Sequence, residues 1–319
     1  MGQGPIFKPE RVQRCENGEP LRAGAGGDNR DGRVYVYNDP NIPLAVNVAW
    51  ATRRPLLLSG ASGSGKSSLA ANVARTLGWR YYEHVVTSRT EARDFLYRFD
   101  SIRRLNDAQA QKIKDVWAYV EPGVLWWAFD HKSAAERGSL GKLPAEDHAK
   151  DPNRLGSHER AVLLIDEIDK ADADVPNALL VPLGSLQFDV EDINFPVEAS
   201  QPPLVIITTN GERELPQAFM RRCVTLELPD PDVKKLVEIA SAVIPESKPK
   251  KRMLVAIAHY VLGQVQQEFK SSGGTKPSAA EYLDTVRACL ELNLTPSSPS
   301  FDELARITLR KGQKVQGVA

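Results

Sequence analysis

Eight consecutive residues, Gly60-Ala61-Ser62-Gly63-Ser64-Gly65-Lys66-Ser67, restrict the fold of this chain more than any other feature. They fit the phosphate-loop pattern G-x-x-x-x-G-K-[ST]. The apolar run Pro55–Leu58 precedes them, and a helical pattern from Lys66 to about Leu77 follows. Such a loop works only between a strand and a helix. Its glycines let successive backbone N–H groups turn toward phosphate oxygens, and the helix adds the positive end of its dipole. Lys66 can then reach the β- and γ-phosphates, and the Ser67 hydroxyl can ligate Mg²⁺. The motif predicts binding of a nucleoside triphosphate with Mg²⁺, with ATP as the first expectation and GTP left open.

The rest of the chain supplies matching strands. A second strand is expected near Tyr81–Val86. Ala161–Ile165 and Leu204–Thr208 are all-apolar runs of strand length, as in strands buried on both faces of a parallel sheet. Strands alternating with helices predict an α/β layered domain. The Ala161–Ile165 run ends in Asp166 and Glu167. Asp166 is placed to hold Mg²⁺ through water, and Glu167 to polarise an attacking water. Asp169 and Lys170 read as local surface charges. The Leu204–Thr208 run ends at Asn210, which can hydrogen-bond both a γ-phosphate and that water.

Other segments are read from local pattern. Residues 1–32, rich in Gly, Arg and charge, are expected to be a flexible N-terminal tail; the alternative is an arm that docks on a neighbour. Asn41–Arg53 reads as a helix with Pro43 in its first turn. Residues 132–159 are polar, with Gly, Pro and mixed charge, and are expected to be a mobile insertion. After Pro229 only helical periodicity remains, so residues 230–319 are expected to form a small helical domain beside an αβα domain of residues 33–229. The basic run Lys248–Arg252 reads as a solvated linker. Lysine plus arginine and aspartate plus glutamate number 41 each, so the formal net charge is zero. That balance speaks against nucleic acid as an obligatory partner. Cys15, Cys223 and Cys289 lie far apart and read as free thiols in a reducing compartment. No apolar run approaches membrane-spanning length and no secretory signal opens the chain. The cytoplasm is the expected location.

Several of these stretches together resemble AAA+ ATPases of the MoxR type, the group with dynein-like AAA modules. They are Pro55–Gly60 leading into the phosphate loop, Leu164–Asp172, Thr208–Pro216, Phe219–Cys223, Tyr97–Asp100 with Arg103–Leu105, and Glu121–Leu125. The resemblance spans roughly residues 35–310. It implies a five-stranded αβα core, a helical lid and a ring, often of six subunits, with each site between neighbours. It also implies an arginine reaching the γ-phosphate from the next subunit. Arg222 is the first candidate and Arg221 the second; the alternative is that both make surface ion pairs. The chain departs from the wider pattern in the lid. Lys276–Glu281 has no arginine where many members sense the γ-phosphate, so either Lys276 substitutes or sensing is weak. Ser278 reads as a helix N-cap with Glu281 completing a capping box. Phe188–Pro196 is a candidate for a β-hairpin inserted before the third strand, or an ordinary connection. Trp126-Trp127 is a candidate pore element, or core.

The resemblance implies an ATP-driven remodelling motor acting on a protein. Such a motor is often paired with a von Willebrand A domain, and the group is associated with enzyme maturation and phage defence. One rival is a slow-turnover nucleotide switch that regulates a partner. A second is a nucleic-acid motor subunit. Retention of Glu167 favours the motor. The sequence does not name the partner, the ring size or the pathway.

Overall fold

The computed structural model describes residues 6–15, 31–153, 155–272 and 278–309. In chain order the first elements are β1 (Val12–Arg14), β2 (Val34–Val36), α1 (Asn41–Thr52), β3 (Leu56–Ser59), α2 (Lys66–Leu77) and β4 (Arg80–Val85). Then come α3 (Ala92–Leu96), β5 (Tyr97–Phe99), α4 (Ser101–Gln109), β6 (Val120–Pro122), α5 (Val124–Phe129) and α6 (His131–Ala135). They are followed by β7 (Ala161–Asp166), α7 (Asp174–Ser185), β8 (Gln187–Val190), β9 (Phe195–Glu198), β10 (Leu204–Thr209), α8 (Gln217–Met220) and β11 (Val224–Glu227). The described chain closes with α9 (Val233–Val243), α10 (Lys251–Ser272), α11 (Ala279–Glu291) and α12 (Phe301–Leu309).

Among the described residues, five parallel strands form one sheet in the order β11-β3-β10-β7-β4. Its apolar runs alternate between two cores, as a period of two requires. Leu57, Leu163, Ile165 and Ile207 face α5 and α7. Leu56, Leu58, Val162, Leu164 and Ile206 face α1 and α2. Burial on both faces is why these strands are apolar without alternation. Helices α9 to α12 carry a third core of their own, built on Leu236, Leu254, Ile257, Tyr282, Val286 and Phe301. This helical region has no strand among the described residues, as its periodicity predicts.

Two expectations are corrected. Residues 6–15 are not a free tail. Phe7 is buried in the α1/α2 core, and β1 pairs antiparallel with β2. Arg11 Nε donates to Glu238 of α9 at 2.6 Å. One aromatic anchor and a few strand hydrogen bonds outweigh the polar composition around them; residues 16–30 lie outside the described set. The stretch from residue 132 is likewise no loose insertion. Ala134, Ser139 and Leu143 are buried, Ala149 packs on the α5/α7 core, and Arg137 Nε donates to Asp147 O at 2.9 Å. Of the two readings of Trp126 and Trp127 the core one holds: they are buried at 0% and 4% exposure, which excludes them from a pore surface. The expected hairpin exists between Gln187 and Glu198, and it lies against α5 through Phe188 and Phe195, which pack on Trp126.

Candidate nucleotide site

Strand register assembles the site. Ile207 of β10 lies opposite Ile165 of β7, and Thr209 lies opposite Ser59 of β3. The phosphate loop after β3, the carboxylates at the end of β7 and Asn210 after β10 therefore emerge side by side. They emerge at the carboxyl end of the sheet, where parallel α/β folds bind ligands.

The loop itself needs its glycines. Gly60, Gly63 and Gly65 all have positive φ, at 141°, 72° and 95°, a region costly for other residues. Gly65 is the N-cap of α2, so the first turn of that helix opens toward the loop. Lys66 is nearly buried, and its Nζ donates to the carbonyls of Gly60 (2.7 Å) and Ala61 (2.9 Å). Desolvation lowers its pKa, against the upward pull of Asp166, Asp169 and Glu167. These two carbonyls are acceptors, the same chemistry a phosphate oxygen would offer. The Ser64 hydroxyl is buried without a hydrogen-bond partner among the described residues, which suits a loop shaped for an absent acceptor.

Beside it, Ser67 Oγ donates to both oxygens of Asp166, at 2.9 and 3.0 Å. Thr208 Oγ1 donates to Asp166 Oδ1 at 2.6 Å and accepts the N–H of Glu167 at 2.8 Å. Thr208 was not singled out in the sequence; its position in β10, beside Asp166 in β7, is what gives it this role. Among the described residues no group of three or more His, Cys, Asp or Glu could hold a metal alone. One hydroxyl and one carboxylate fit Mg²⁺, which keeps waters and takes its remaining ligands from substrate phosphates.

Glu167 has left-handed backbone angles, φ 61° and ψ 49°. Such strain in a non-glycine residue concentrates at functional sites. It turns the chain at the strand end, so the side chain meets Asn210, whose Nδ2 donates to Oε1 at 3.2 Å. Lys170 Nζ donates to Oε2 at 2.6 Å. That bond, with the nearby carboxylates, holds the ammonium pKa above its ordinary value. Asp169 is not a surface charge: it is 2% exposed. Its Oδ2 accepts the backbone N–H groups of Asn210 (3.1 Å) and Glu212 (2.9 Å). The sequence reading of Asp169 as a local surface charge is therefore wrong, whereas Lys170, with its side chain 39% exposed, is a surface charge that pairs with Glu167. Their proximity in sequence to a strand-end carboxylate pair was the available signal.

A cavity of about 450 Å³ opens over these groups, a size ordinary for a small-molecule site. Ser62 to Ser68, Asp166, Glu167 and Asn210 line it, with Tyr35 of β2, Lys235, Ile239 and Val243 of α9, and Ser278 to Glu281 of α11. Burial raises the pKa of the Tyr35 hydroxyl and lowers that of the Lys235 ammonium. Helix α11 begins directly over the phosphate loop: a Cβ on Gly63 would overlap Ser278. Ser278 is the N-cap, with the expected capping box to Glu281. Lys276 lies outside the described residues. Arg221 and Arg222, at the end of α8, do not line the cavity. Both are exposed, and neither guanidinium has an ion pair with a described residue. Their backbone carbonyls accept from Arg54.

The arrangement can hold a phosphate chain on backbone N–H groups and Lys66. It can place a cation between Ser67 and Asp166, and a carboxylate base and an amide beside the terminal phosphate. The family model for the AAA domain, dynein-related subfamily, matches residues 55–223. Among solved structures the chain is similar to a RuvB point mutant of Thermotoga maritima, 16% identical, covering 85% of this chain and 69% of that one with a TM-score of 0.46. Another is the Thermotoga maritima RuvB Holliday junction branch migration motor, at 16% identity, 84% and 67% coverage and a TM-score of 0.42. An inferred ATPase of Cytophaga hutchinsonii matches at 15% identity, 84% and 80% coverage and a TM-score of 0.41. No curated protein matches the chain. With the family model spanning more than half of it, and the phosphate loop, the carboxylate pair and Asn210 meeting in one cavity, the chain belongs to the dynein-related subfamily of AAA domains, within the AAA+ ATPases.

Proposed function

We propose that the chain is an ATP-hydrolysing subunit of a MoxR-type ring, of six copies by expectation, that remodels or activates a partner protein. In this reading Mg²⁺ is held by Ser67 and Asp166, Glu167 is the general base, and Asn210 orients the water. Residues 33–229 hydrolyse the nucleotide and residues 230–319 act as the lid. The observation that carries the ring is what the cavity lacks. Among the described residues its lining cations are Lys66 and Lys235, with no arginine, while Arg221 and Arg222 stand exposed outside it. A neighbour's arginine would complete it, and an arginine supplied in trans is worth about 10³–10⁵ in rate. The partner class is a protein, with a von Willebrand A domain protein the first candidate and phage defence a candidate setting. The cytoplasm remains the proposed location.

The test mixes two inactive proteins, Arg222→Ala and Lys66→Ala. Arg222→Ala is expected to bind ATP normally and hydrolyse it poorly, and Lys66→Ala to lose nucleotide binding. In a mixed ring some sites join an intact phosphate loop to an intact arginine, and those sites recover activity. Subunit exchange without recovered activity refutes the trans role. A protein that stays monomeric with ATP at high concentration refutes the ring. One observation favours a second reading, the slow-turnover switch: both oxygens of Glu167 are already engaged, one of them by an ammonium.

A further inference from the structure

We infer that Lys170 is a positioning residue that restrains Glu167 in a resting placement, and that turnover requires this ammonium to let go. The inference rests on the reading of Glu167 as the base. Glu167 is fixed on every side that the described residues reach. Its backbone is left-handed, its N–H is given to Thr208, Oε1 accepts from Asn210 at 3.2 Å and Oε2 from Lys170 at 2.6 Å. A carboxylate that takes a proton from water needs one oxygen facing that water. Of the two partners, Asn210 belongs there: it lines the cavity, and its own N–H is anchored on the buried Asp169. Lys170 does not line the cavity. It lies on the single turn Ile168–Lys170 beyond β7, and its side chain is 39% exposed. It therefore approaches Glu167 from outside and pulls on the carboxylate from the solvent side.

A half-exposed ammonium can change partners at small cost, because exposed pairs are worth little and water replaces them readily. Glu212, exposed on the turn after β10, already acts electrostatically on the same ammonium. It is the residue at hand to receive Lys170 when Glu167 is released. The same turn is tied through Asp169 to the one bearing Lys170, so a movement of the Asn210–Glu212 segment is felt by both partners of the exchange.

The experiment compares Lys170→Met, Lys170→Arg and Glu167→Gln in the full chain. Steady-state ATPase gives kcat and KM separately. Titration of a fluorescent ADP, with and without aluminium fluoride, reports how well each protein holds a mimic of the transferring phosphoryl group. Lys170→Met is expected to raise kcat about three- to tenfold, the range open to a half-exposed charged hydrogen bond. KM and ADP affinity stay unchanged, and ADP with aluminium fluoride binds more tightly by a similar factor. Lys170→Arg behaves as the wild type. A Lys170→Met protein that binds ADP normally, but shows kcat at or below wild type and no gain with aluminium fluoride, overturns the restraint. Glu167→Gln separates the two layers. If it turns over at the wild-type rate, the base reading fails; if it is inactive while Lys170→Met is no faster, only the restraint fails.

Discussion

Replacing Asp169 by alanine tests whether the turns after β7 and β10 are one unit. The carboxylate is buried and accepts two backbone N–H groups, from Asn210 at 3.1 Å and Glu212 at 2.9 Å. Hydrogen bonds to a charged acceptor contribute about 1.5–3 kcal/mol each, so losing both removes about 3–6 kcal/mol. Against this, the other oxygen, Oδ1, is buried with no hydrogen-bond partner, and relieving such a group returns about 1–3 kcal/mol. The middle of each range leaves a net destabilisation of about 2.5 kcal/mol. For a domain of this size each kcal/mol moves Tm by about 2–4 °C, so Asp169→Ala melts about 5–10 °C below wild type. Asp169→Asn keeps an acceptor oxygen and loses about half as much. Scanning calorimetry measures both. Turnover falls as well, because Asn210 loses the anchor that aims it at Glu167, whereas nucleotide affinity holds, because Lys66 and Ser67 do not lean on this turn. An Asp169→Ala protein that melts within about 2 °C of wild type would refute the claim that these two backbone hydrogen bonds hold the turns together.

Two further predictions follow from local geometry. Gly63→Ala and Gly65→Ala share the cost of a left-handed alanine, about 1–2 kcal/mol, but only at Gly63 does the new Cβ overlap Ser278 of α11. Gly63→Ala is therefore expected to weaken nucleotide binding further and to speed hydrogen exchange in the first turn of α11; equal effects would show that α11 does not close on the loop. In the clasp between the N-terminal segment and α9, the hydrogen bond from Arg11 holds the Glu238 carboxyl below its ordinary pKa. Its contribution is complete above the ordinary carboxylate value of about 4.3 and is lost as pH falls through the depressed value. The Tm gap between wild type and Arg11→Met should close between about pH 5 and pH 3, and a gap that stays constant with pH would assign the loss to packing instead.

What could be read before the structure follows from the range of the interactions involved. The phosphate loop and the apolar strands are local patterns, and each is dictated by its own residues: glycines at positive φ, and runs buried on both faces. The grouping of Lys66, Ser67, Asp166, Glu167 and Asn210 was legible because three strand ends carried polar residues in the expected order. Thr208, Asp169 and Lys170 were missed for one reason. Each acts across strands or within a turn whose direction is set by the left-handed Glu167, and no periodicity in the sequence encodes that turn. The N-terminal segment failed for another. Composition averages over many residues, whereas a single Phe7 inserted into the α1/α2 core and a three-residue pairing are enough to fix a polar stretch. Trp126 and Trp127 answer to their core reading, because the β8–β9 hairpin and the sheet cover them. These misses have a common consequence for the chemistry. The phosphate loop is set by local sequence, while the surroundings of Glu167, made by Asn210, Asp169 and Lys170, are set by contacts within and between the turns after β7 and β10. A regulator that shifts one turn against the other could therefore change turnover without touching the nucleotide.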